Sequence, residues 1–208
     1  MKVLLVNGST HGNGNTATAL GQVASALDEH GIETEMFQIP NRPVIDCDGC
    51  MKCRDLDDEC VYDDDAANEL IAKAWESDGF VFGTPVYYAH PSGRILSVLD
   101  RAFYAGRRAF EHKPGASVAV ARRAGTVSSF DVLNKYFTIN QMPVVSSTYW
   151  NDAFGREQGE SSQDEEGMRV MRNIGHNMAW LLECIELGRR NGVEPPASES
   201  GAMTNFIR

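Results

Sequence analysis

The feature that most limits what this chain can fold into is a regular alternation of short apolar runs with longer amphipathic segments. "KVLLVN" (2–7), "IETEMFQI" (32–39), "GFVFGTPVYY" (79–88), "GASVAVA" (115–121) and "PVVSSTY" (143–149) read as strands. Helices are expected over 15–31, 64–78, 91–106, 128–142 and 164–188. The first carries Leu20, Val23 and Leu27 on one face and is closed by Gly31, the second has an acidic first turn suited to the helix dipole, and Pro91 opens the third. In the last, Met168, Met171, Met178, Leu181, Leu182 and Ile185 recur near helical spacing. Five short apolar strands separated by helices predict an α/β fold: a doubly wound parallel sheet with helices on both faces.

At 208 residues, 42% hydrophobic and 23% charged, the chain is sized for one well-buried core. The formal charge of -10 argues against nucleic acid or an anionic membrane as partner, because both need a basic footprint. The apolar run between Lys2 and Asn7 is too short for a signal peptide, and no later run approaches membrane-spanning length. A cytoplasmic protein is expected, where thiols stay reduced. One domain covers 1–188 with a cysteine-rich insertion at 46–60, and 189–208 forms a tail expected to pack on its own or a neighbouring subunit.

Such sheets bind ligands at the carboxyl ends of their strands, so the loops there matter most. The first, "NGSTHGNGNTA", opens a helix and is rich in glycine, hydroxyls and amides. Ser9, Asn13, Asn15 and Thr16 are the best phosphate donors, with Asn15 as a plain helix cap the alternative. Gly12, Gly14 and Ala17 match a dinucleotide spacing, but the match begins beyond the strand and strand two ends in Gln38 and Ile39 with no acid for a ribose. No P-loop lysine follows.

"LLVNGSTHGNGNTATAL", "FVFGTPVYYAHPSGRILSVLDR" and "STYWNDAFG" together resemble the flavodoxin-like NADPH-dependent FMN reductase family. The resemblance covers nearly the whole chain to about residue 188 and implies a flavodoxin-like five-stranded sheet. It also implies an FMN phosphate in the first loop and Thr84, Pro85, Val86 and Tyr87 around the flavin ring. Tyr88 adds flat apolar surface, or packs over the sheet. The third loop, "ARRAGTVSS", departs from the family's glycine pair: Arg122 and Arg123, ahead of Gly125, stand where a cation would stabilise anionic reduced flavin, bind a pyridine-nucleotide phosphate, or simply be solvated. His11 and His90 lie in these loops as candidate proton donors or solvated side chains, and Trp150 as a flavin cap or ordinary packing.

Cys47, Cys50, Cys53 and Cys60 follow C-x2-C-x2-C-x6-C. Thiolates at such intervals can converge on one cuboidal cluster, whereas structural zinc usually pairs two separate knuckles. The motif also resembles the iron–sulfur flavoprotein branch of the same family, which implies a [4Fe–4S] cluster; a reduced, metal-free lid or subunit contact is the other reading. Cys184 is expected in the core. The expected function is an FMN-dependent NAD(P)H oxidoreductase reducing a quinone, a nitro or azo compound, or flavin. The alternatives are an electron carrier joining cluster, FMN and a protein partner, with a ferredoxin-like donor, and a redox-sensing flavin-binding interaction protein. The resemblance implies a homodimer or homotetramer.

Overall fold

Strand β1 (Lys2–Asn7) is buried over all but its first residue, because parallel neighbours hydrogen-bond both of its edges and helices cover both of its faces. The structure is a computed structural model describing residues 1–63, 66–199 and 201–206. After β1 come α1 (Asn15–Asp28), β2 (Glu33–Gln38), α2 (Ala66–Trp75), β3 (Gly79–Tyr87), β4 (His90–Pro91) and α3 (Gly93–Ala105). β5 (Gly115–Ala121), α4 (Thr126–Ile139), β6 (Asp152–Phe154) and α5 (Glu165–Arg190) complete the order. Residues 64 and 65 of the expected second helix lie outside the described residues.

The sheet runs β2-β1-β3-β5-β6, all parallel, with β4 folded back antiparallel on the end of β3. This is the doubly wound α/β order expected of the sequence. Alternate residues feed opposite cores: Val3, Leu5 and Val81 meet α1 and α5, while Leu4, Val6, Phe80 and Phe82 meet α2, α3 and α4. Phe82 stacks on Phe137 of α4 at 5.1 Å between ring centres, so truncating either ring would cost roughly 3–5 kcal/mol.

Two expectations need correction. The fifth parallel strand is β6, not 143–149, where Val144 makes only an isolated bridge to Gly115. Residues 146–148 bond helix α5 instead: the Ser147 hydroxyl donates to Val170 O at 2.7 Å, Asn177 Nδ2 to Ser146 O at 2.8 Å and Asn173 Nδ2 to Thr148 Oγ1 at 3.0 Å. Cys184 is exposed rather than in the core. It lies two residues beyond buried Leu182, about 200° round the helix at roughly 100° per residue. The described part of the tail is exposed, tied down at Ser198, whose hydroxyl accepts from Gln141 Nε2 at 2.9 Å. No helix among the described residues is long and apolar enough to cross a membrane.

Candidate functional site

The carboxyl ends of β1, β3, β5 and β6 open into one cavity of about 390 Å³, within the usual range for small-molecule sites. Its first wall is the loop after β1. Asn7 is fully buried and shapes that loop, its Oδ1 accepting from Ser9 N at 3.0 Å and its Nδ2 donating to Gln38 Oε1 at 2.7 Å. Gln38 in turn donates to Ser9 O at 2.6 Å. The residue where a dinucleotide site needs an acid is thus a splint for the loop. The Ser9 hydroxyl accepts from His11 N at 3.1 Å.

Helix α1 then follows Gly14, its N-cap residue, with no side-chain cap and no acid in its first turn. Its leading N–H groups and the positive end of its dipole therefore face the cavity beside Ser9, His11 and Thr16. This is a fit for a phosphate. Asn15 also lines the cavity, but its amide is committed elsewhere: Nδ2 donates to Glu157 O at 2.9 Å and Oδ1 accepts from Ser161 N at 3.0 Å.

Pro85, Val86 and Tyr87 at the end of β3, with Val120 and Ala121 of β5, form the apolar wall. Thr84 does not face it. It is fully buried, its hydroxyl accepting from Ser92 N at 2.9 Å and donating to Pro85 O at 2.9 Å. Ser92 caps α3, accepting from Ile95 N at 3.3 Å, and donates to Gly8 O at 2.8 Å, so the first two loops are tied to each other. Tyr88 and Ala89 turn the chain from β3 into β4 with φ of 51° and 59°. Tyr88 stands wholly exposed at the tip, outside the lining, and His90 of β4 is also exposed and outside it.

The third wall brings Arg122 after β5, and Gly155, Arg156 and Gln158 after β6. Arg123, Gly125 and Asn13 are not among the lining residues. Gly125 caps α4 with φ of 91°, and a Cβ there would lie 2.5 Å from Ala89 Cα, so only glycine allows this approach of the second and third loops. Thr126 donates to Asp152 Oδ2 at 2.7 Å, and burial raises that carboxyl above its ordinary pKa despite the bond. With a fifth strand expected at 143–149, the sequence does not single out Arg156, Gly155 and Gln158 as strand-end residues. A glycine just after "NDAF" was the available signal.

The four clustered cysteines occupy a separate site on the α3 side. Cys47, Cys50, Cys53 and Cys60 all line one small pocket with Tyr62, Arg101 and Tyr104. Gly49 and Met51 take left-handed backbone to turn the chain between thiols, and Asp48 accepts from Cys50 N at 3.0 Å and Tyr62 Oη at 2.7 Å. Burial, followed by the neighbouring Cys60, raises the Cys53 thiol. Among the described residues no three His, Cys, Asp or Glu side chains converge as a ligand set for one metal ion. The donor set, four thiols round a shared space, suits a cuboidal cluster that takes one thiolate at each iron.

A doubly wound sheet with an uncapped helix end and an apolar β3 loop at its switch point defines a flavodoxin-like nucleotide-binding protein. The profile of the NADPH-dependent FMN reductase family matches residues 1–157, and the chain belongs to that family. It is 30% identical over 195 residues to an iron–sulfur flavoprotein of Methanocaldococcus jannaschii, covering 89% of this chain and all of that one (100%). An iron–sulfur flavoprotein of Archaeoglobus fulgidus is 30% identical over 189 residues, covering 82% of this chain and 92% of the relative. Among solved structures, an NAD(P)H:quinone oxidoreductase from Methanothermobacter marburgensis shares the fold with a TM-score of 0.66 at 13% identity, covering 86% of this chain and 98% of that one.

Proposed function

We propose that this chain is an FMN-dependent oxidoreductase that takes electrons from reduced pyridine nucleotide and gives them to a small acceptor, such as a quinone, a nitro or azo compound, or free flavin. The observation that carries the reading is the charge of the cavity. In a chain of net charge -10, its described lining holds Arg122 and Arg156 and no carboxylate, and although Arg156 pairs with Glu157 at 3.2 Å, Arg122 and the positive end of α1 suit it to an anionic ligand. Bound FMN would supply the redox chemistry. The α1 terminus, Ser9 and Thr16 would hold its phosphate, and Pro85, Val86 and Tyr87 would flank its ring and keep water from one face. Belonging to a family described as NADPH-dependent supports NADPH as donor.

The test is anaerobic purification, a visible spectrum, and titration with NADPH and NADH. Flavin bleached by NADPH at catalytic rate is expected. Absence of flavin after incubation with FMN would overturn the reading.

A second reading is favoured by the shared cysteine pocket and by relatives named iron–sulfur flavoproteins. Here Cys47, Cys50, Cys53 and Cys60 hold a [4Fe–4S] cluster, and a ferredoxin-like donor exchanges electrons with it and the FMN. About four irons and matching acid-labile sulfide per chain would support it. Iron-free protein would leave a thiol loop able to act as a redox sensor. A homo-oligomer is part of the proposal: Tyr87, Tyr88, Tyr149 and Trp150 stand exposed, and a second copy would cover them. Light scattering reads this directly.

A further inference from the structure

Arg101 of α3 is 1% exposed, the largest fully buried side chain among the described residues. Arginine is seldom buried so completely, because taking a guanidinium out of water is costly unless its N–H groups are satisfied. Three of the Arg101 bonds go to the cysteine loop and its flanks. Nε donates to Cys60 Sγ at 3.2 Å, Nη1 to Ile45 O at 3.2 Å, and Nη2 to Tyr62 O. The guanidinium also lies over the Tyr62 ring, 5.6 Å from its centre.

These acceptors are separated in sequence. Ile45 precedes the first clustered cysteine and Tyr62 follows the last, so a single planar fork on a rigid helix joins both flanks of the loop and one of its sulfurs. Between the flanks, the only regular element among the described residues is a 3-10 turn at Lys52–Asp55 with no buried side chain. Within the loop, Asp48 bonds Cys50 N and the Tyr62 hydroxyl, and Arg101 adds an anchor from outside it. A lysine at the same place has no fixed fork and cannot hold three points in one plane.

We infer that Arg101 is the positioning residue of the cysteine pocket, holding the loop in shape before any metal enters and tuning, through its N–H···S bond to Cys60, the reduction potential of the centre formed there. The second half rests on the cluster reading above. A hydrogen bond to a ligating sulfur strengthens as electron density on the sulfur rises, so it favours the reduced centre and raises the potential.

Arg101→Lys and Arg101→Gln in the full chain test both halves. In metal-free protein, hydrogen exchange over residues 45–62 should quicken at least tenfold in both variants, while FMN binding, whose cavity shares no lining residue with the pocket, reports that the fold is intact. After anaerobic reconstitution with iron and sulfide, an EPR-monitored titration should place Arg101→Gln below wild type by about tenfold in the one-electron equilibrium, ~59 mV, with Arg101→Lys between. Exchange unchanged in both variants overturns the clamp, and equal potentials overturn the tuning. If wild type takes up no iron, the cluster reading and the tuning fall together, and the exchange result alone decides the clamp. Should neither variant fold, the wild-type Arg101 Nε–H resonance decides: slow exchange supports the clamp, and free exchange with solvent overturns it.

Discussion

Arg122 and Arg156 reach the cavity from different strands, and both are exposed. Solvent-exposed cations contribute modestly and are screened by salt. Arg122→Ala and Arg156→Ala should therefore each weaken FMN about fivefold, roughly 1 kcal/mol, and the deficit should shrink in high salt. Flavin fluorescence quenching measures both quantities. The turn at Tyr88 and Ala89 makes a different prediction. Tyr87 pairs with His90 and Val86 with Pro91, leaving a two-residue hairpin with both central residues left-handed. That turn favours Asn-Gly, and each ordinary residue there costs roughly 1 kcal/mol. Tyr88→Asn with Ala89→Gly should raise stability by about 1–2 kcal/mol in urea unfolding, and an unchanged midpoint would mean that contacts such as Ser128 Oγ to Ala89 O at 2.6 Å already offset the strain.

Lys113 links two elements. At the entry to β5 it donates to Ala74 O at 2.7 Å in the last turn of α2, where a cation suits the helix dipole, and it lies over the Trp75 and Phe80 rings. Burial nevertheless lowers its pKa from 10.5 to about 8. The unfolded chain then holds more proton than the native one between those values, so stability rises with pH across that window and the cost of charging is fully present below it. Its remaining contact with solvent reduces the effect to on the order of 2 kcal/mol. Wild type should gain this between pH 8 and 10.5, and Lys113→Met should show no such gain in calorimetry over the same range. The elements themselves were largely legible: β1, β3 and β5 are apolar throughout because both faces are covered, and α1 and α5 show their helical spacing. The 143–149 segment has strand composition too, yet its hydroxyls and carbonyls bond α5. Period and propensity do not show which partner a backbone finds.

For the whole molecule, the sheet order puts the strand-end loops in one place, which is why Ser9, His11, Thr16, Pro85, Val86, Tyr87 and Arg122 can be named from sequence and do line one cavity. Thr84 and Asn15 have the right chemistry in the right loops, but loop-to-loop hydrogen bonds occupy their side chains, and sequence carries no sign of that. Arg101 was invisible for the same reason, since a single arginine in a helix reads as solvated. What the assembled molecule adds is separation: among the described residues cysteine pocket and cavity share no lining residue, and α3 runs from its cap Ser92, which ties down the loop after β1, to Arg101 at the pocket, about 13 Å on at 1.5 Å per residue. The cysteine loop hangs on the outer core face through Arg101, Asn68 and Arg108, the last paired with Asp57 at 2.6 Å and Asp58 at 2.8 Å. Replacing Cys47, Cys50, Cys53 and Cys60 with serine together should therefore leave the fold and flavin stoichiometry unchanged while abolishing iron uptake. Circular dichroism, the flavin spectrum and iron assay read the three quantities. If flavin were lost along with the thiols, the two sites would be one functional unit, and electron exchange between them would have to be built into FMN binding itself.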